Sequence, residues 1–100
     1  MPALFPDPDA LAALCRRNGI RRLSLFGSVA AGTARPDSDV DLLVEFAPGM
    51  VPGFLDLAAI EMELSALLEG RRVDLRTAQE LSRYFRDEVL RTAELQFAAA

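Results

Sequence analysis

Leu11, Leu14 and Cys15, with Ala12 beside them, fall on one face of a 3.6-residue period. Asp7-Pro8 stands just ahead of them, a capping carboxylate followed by the imino acid that suits the first helical position. The spacing predicts a helix over 8–18, closed by Asn18-Gly19. The period then changes. Leu23-Ser24-Leu25-Phe26 alternates and stops at Gly27-Ser28, as a short strand running into a tight turn does, and a short helix can start over 28–31. Gly32-Thr33-Ala34-Arg35-Pro36-Asp37-Ser38 is dense in turn formers and leads to Asp39-Val40-Asp41-Leu42-Leu43-Val44-Glu45-Phe46, whose apolar centre predicts a second, central strand. The two strands are candidates for an antiparallel pair.

Residues 47–53 form a loop by composition, and Leu57, Ile60, Leu64, Leu67 and Leu68 then return to helical spacing until Gly70 stops it. Glu61, Glu63 and Glu69 fall mainly off that face. Arg72-Val73-Asp74-Leu75-Arg76 predicts a third strand, and Thr77 a cap for a last helical region in which Leu81, Phe85, Val89 and Ala93 share one side. In the tail, Leu95 and Phe97 run partly out of phase with that side. Either they make a second apolar helix face that meets another chain, or the terminus frays. The order helix, strand, strand, helix, strand, helix predicts one α+β domain over residues 1–100, a small mixed sheet of three to four strands flanked by helices.

Composition narrows what such a domain can do. One hundred residues bury one core and leave little for a second, substrate-binding domain, so whatever the chain acts on must bring much of its own recognition surface. No segment nears the roughly 18 apolar residues of a membrane helix, and residues 1–7 lack the basic start and apolar run of a secretory signal; a cytoplasmic protein without membrane contact is expected. The single Cys15 forms no intramolecular disulfide and reads as core. The absence of His removes the commonest zinc ligand and general base together. All eleven basic residues are Arg, which excludes Schiff-base chemistry and a P-loop lysine. A net charge of −4 argues against nucleic acid as a partner, yet suits a site that holds Mg²⁺ through clustered carboxylates.

Three pieces of sequence carry candidate chemistry. Gly27-Ser28-Val29-Ala30-Ala31-Gly32 is a small-residue turn; it has the spacing of half a P-loop, but Thr33-Ala34 stands where Lys and Ser or Thr must follow. Asp39-Val40-Asp41 opens a strand, where residues two apart share a face, so two carboxylates sit side by side at a cost that a shared cation relieves. Hard oxygen ligands favour Mg²⁺ or Mn²⁺ over zinc. Asp74 lies within an apolar strand, where an unpaired carboxylate is expensive to bury; a position beside Asp39 and Asp41 is the simplest relief.

Taken together, Leu25-Phe26-Gly27-Ser28 through Ser38-Asp39-Val40-Asp41-Leu42 resembles the signature of the DNA polymerase beta-like nucleotidyltransferase superfamily, and within it the minimal nucleotidyltransferases match best, over nearly the whole chain. The resemblance implies that Gly27 and Ser28 hold the phosphates of ATP, that Asp39 and Asp41 bind Mg²⁺, as two ions with Asp74 sharing the second, and that Asp74 completes the site near the acceptor. Ser38 orients Asp39 or touches the nucleotide on one reading, and is a simple turn residue on the other. Arg71, Arg72 and Arg76 meet phosphate or a partner, or are exposed strand-edge arginines. One departure stands out: Ala31 occupies a position where the family commonly has Arg, and Val29 replaces an often polar residue. The resemblance further implies an antitoxin paired with an all-helical HEPN toxin, which it neutralises by moving AMP onto a tyrosine hydroxyl. The alternative is a nucleotide-binding antitoxin of weak or no activity that inhibits by complex formation alone.

Overall fold

The computed structural model describes residues 4–32, 35, 38–81 and 83–99, with the side chains of Ser28, Ala31, Arg83, Tyr84 and Phe85 outside the description. The cap read from Asp7-Pro8 is in place: Asp7 Oδ1 accepts from the backbone N–H groups of Asp9 and Ala10, both at 3.1 Å, and helix α1 runs Pro8–Arg17. Asn18 closes it by donating its amide to the Leu14 carbonyl at 2.9 Å. Next come β1 (Ile20–Phe26), a single short helix α2 (Gly27–Ala31), β2 (Val40–Phe46) and α3 (Phe54–Leu67). β3 (Val73–Thr77), a 3-10 turn (Ala78–Glu80), α4 (Arg83–Thr92) and β4 (Glu94–Ala98) follow. Most of the turn formers read over 32–38 lie outside the described residues.

The sheet is mixed and four-stranded, in the order β3-β2-β1-β4. β1 runs antiparallel to β2, as expected, and to β4; β2 runs parallel to β3, with α3 as the crossover that a parallel pair requires. On one face, Leu23 and Leu25 of β1, Val40, Leu42 and Val44 of β2, and Val73 and Leu75 of β3 pack with Leu11, Leu14 and Cys15 of α1 and with Ile60 and Leu64 of α3. Strand alternation then turns Asp41 and Asp74 to the other face. β3 is an edge strand. Its outward backbone N–H at Leu75 donates to Glu61 Oε2 at 2.8 Å, so α3 both covers the sheet and closes part of its open edge.

Two expectations for the C-terminal part need correction. The last helical region is split. Thr77 caps the 3-10 turn, its backbone N–H and hydroxyl both meeting Glu80 Oε1 at 3.1 Å, and α4 begins only at Arg83. The tail is neither a second helix face nor a frayed end. Ala93 donates the last helical bond, to Val89 at 2.8 Å, and the chain then extends as β4 along β1. Leu23 pairs with Phe97 and Ser24 with Leu95, so a bulge at Gln96 separates the fates of the two apolar residues. Phe97 enters the core at 8% exposure, out of reach of any other chain, while Leu95 stays 54% exposed. Among the described residues, no helix is long and apolar enough to cross a membrane.

Candidate active site

Strand register assembles the site. Asp41 is second in β2 and Asp74 second in β3, and the parallel ladder sets them opposite one another. On its other side, Asp41 faces Phe26, the last residue of β1. The next residue in the chain, Gly27, therefore lies against the Asp41 carboxylate. Gly27 has φ +76°, and a Cβ there would stand 3.0 Å from Asp41 Cγ and collide with Oδ2. Only glycine meets both demands, a left-handed backbone and a bare Cα. Ser28 follows as the second residue of α2, with its side chain outside the description.

The other members differ in how they are held. Asp39 lies just before β2, partly exposed, with Arg72 Nε 3.8 Å from its Oδ1. Ser38 Oγ accepts the Arg35 backbone N–H at 2.8 Å while Ser38 N donates back to the Arg35 carbonyl at 3.0 Å, so Ser38 closes a turn. Asp74 is gripped from its own strand: Arg76 Nε donates to Oδ1 at 3.0 Å and Arg76 Nη2 to Oδ2 at 3.2 Å. Residues two apart on a strand share a face, and a guanidinium fits a carboxylate as a two-pronged fork. Arg76 Nη1 also lies 4.0 Å from Glu80 Oε2. Both partners of the fork are about a third to a half exposed, and pairs in that setting are worth roughly 0.2–1 kcal/mol. The fork is thus well formed and weakly held. The Asp-x-Arg spacing was its signal in the sequence, which left Arg76 open between a ligand contact and a bare edge.

Asp41 carries the electrostatic strain. Burial, and then the charges of Asp74 and Asp39, push its carboxyl above the usual value of 3.8, with Arg76 opposing. Asp41 therefore feels both of the other acids. As the side chains stand, no three acidic groups among the described residues close around one point; Asp74 is turned to Arg76 and Asp39 lies near Arg72. The donor set nonetheless fits a hard divalent cation: every ligand is a carboxylate oxygen, and the central one sits where added positive charge relieves it. A cavity of about 520 Å³ lies elsewhere, at the far end of the β2–β3 pair, lined by Val44, Phe46, Met50, Thr77 and Glu80. It does not reach the carboxylates.

The family model described as a nucleotidyltransferase domain matches residues 9–95. Protein adenylyltransferase MntA of Thermococcus cleftensis is 42% identical over 78 residues, covering 78% of this chain and 76% of that protein. Among solved structures, a chain of a toxin-antitoxin crystal structure with AMP-PNP is similar at TM-score 0.72 and 21% identity, over 93% of this chain and 74% of that one. A chain of the complex between a tri-AMPylated Shewanella oneidensis HEPN toxin and an MNT antitoxin is similar at TM-score 0.63 and 18% identity, over 92% and 70%. At those identities the two structures speak for the fold.

Proposed function

The chain belongs to the nucleotidyltransferase domain family, and from that premise we propose that it is a Mg²⁺-dependent protein adenylyltransferase, the antitoxin partner of a HEPN toxin, working in the cytoplasm. The observation that carries the proposal is the register that sets Asp41 opposite Asp74 with the bare Cα of Gly27 against the Asp41 carboxylate. In this reading Gly27 and Ser28 receive the phosphates of ATP, Asp39 and Asp41 would hold Mg²⁺, and Asp74 would share a second ion with them. Asp74 faces the acceptor hydroxyl and takes its proton, a task for which the chain has no histidine. When bound, Mg²⁺ offsets the phosphate charge and makes the hydroxyl a better nucleophile. The acceptor oxygen bonds to the α-phosphorus in line with the departing pyrophosphate, whose bridging bond breaks, and AMP is left on the partner. Ser38 accepts from Arg35 in its turn and keeps its own O–H to donate, so it either positions Asp39 or meets the nucleotide.

The partner comes from the company this fold keeps: a relative named protein adenylyltransferase, and similar chains found in toxin-antitoxin complexes, one with an AMPylated HEPN toxin. A transferase this small leaves room for the partner to supply acceptor geometry. Ala31, in place of a common arginine, favours the second reading, a binding antitoxin without turnover.

One experiment separates them. The chain and its Asp39→Ala plus Asp41→Ala variant are incubated with α-labelled ATP, Mg²⁺ and the protein encoded by the adjacent gene. Label on that protein only with intact carboxylates is the expected result. A tight complex without label supports the binding reading, and neither label nor complex overturns both.

A further inference from the structure

Resting on the metal-site reading above, we infer that Arg76 is a latch on Asp74: its guanidinium donates to both carboxylate oxygens and so competes, by charge and by lone pair, with a divalent cation for Asp74, and it swings aside when the cation arrives. Three observations support this. The fork engages both oxygens, at 3.0 and 3.2 Å, so neither oxygen is free of competition from the guanidinium. The grip comes from within β3, two residues along the same face, so release needs a change of side-chain rotamer and no movement of the sheet. A resting place for the freed cation already exists: Glu80, on the adjoining 3-10 turn, has Oε2 4.0 Å from Arg76 Nη1 and is anchored through Oε1 to Thr77.

Asp41 and Asp74 share a register, and Asp39 lies just ahead of it. Among the described residues the fork falls on Asp74, while Asp39 has a looser approach from Arg72 at 3.8 Å. Asp74 is the acid held in a fork, and on the proposed mechanism it faces the acceptor. Arg76 is accordingly a positioning residue that holds Asp74 preset and offsets its charge, and cation binding at Asp74 is the step that displaces it.

The test reads binding of Mn²⁺ alone, without ATP, by the loss of free Mn²⁺ signal in electron paramagnetic resonance. The wild-type chain is compared with Arg76→Gln, Asp74→Asn, the double variant and Asp41→Asn. Arg76→Gln is expected to bind Mn²⁺ about two- to five-fold more tightly, the equivalent of losing one exposed ion pair, and the gain is expected to vanish in the Asp74→Asn background. A gain that persists without Asp74 is a long-range charge effect and overturns the latch, as does unchanged or weaker binding by Arg76→Gln. In both of those cases the metal reading survives if Asp41→Asn abolishes binding. Absence of Mn²⁺ binding by every variant and by wild type overturns the latch and the metal reading together.

Discussion

Gly27 and Asp41 are joined by shape rather than by a hydrogen bond, which makes each a condition on the other. In Gly27→Ala the new methyl group meets the Asp41 carboxylate, and the left-handed backbone adds about 1–2 kcal/mol of steric cost. We expect urea unfolding to show a loss of at least that size, with Mn²⁺ binding impaired in the fraction that folds. Asp41→Asn acts in the opposite sense on stability. Because the folded protein holds this carboxyl above its usual value of 3.8, the protonated form is favoured, and folding loses stability as pH rises through the folded-state pKa. An asparagine, which fits the same space uncharged, should therefore raise the melting temperature of the metal-free protein at pH 7. The gain should fade toward pH 3.8 and below, where wild-type Asp41 is protonated in both states. AMP transfer should fall by at least about 100-fold, since even groups that only support a metal ligand cost 10- to 100-fold when lost.

The elements that build the site were legible in the sequence because each carries its own signal. The Asp7 cap, the strand stopping at Gly27 and the helical leucine spacing of α3 are local features, and they fall where local physics puts them. β4 was not legible. Five residues with two apolar side chains at alternate positions fit a helix end or a strand equally well, and only pairing with β1 decides between them. The bulge that sends Phe97 inward and leaves Leu95 outside has no local signature at all. The fork at Asp74 had the Asp-x-Arg spacing as its signal, but that spacing leaves the rotamer open. The strand assignment predicts unequal responses from the two tail residues. Phe97→Ala should cost about 3–5 kcal/mol, as truncation of a buried phenylalanine does, and Leu95→Ala within about 0.5 kcal/mol, measured by chemical denaturation. Similar small losses for both would return the tail to a loosely held end.

At the scale of the molecule, one face of the sheet is given to the core and the other to the carboxylates, so packing and chemistry meet only through the strands they share. The layout has a cost written in time. β1 finds β2 within some twenty residues of chain, but the strand on its other side follows about seventy residues later. During synthesis the acidic triad and its glycine exist before their sheet is complete, and one edge of β1 stands open to pairing with any strand that passes. Arg21 and Arg22, exposed side by side near the start of that strand, are the kind of charged residues that discourage such encounters. On a ribosome they would guard the edge until Phe97 arrives to close it.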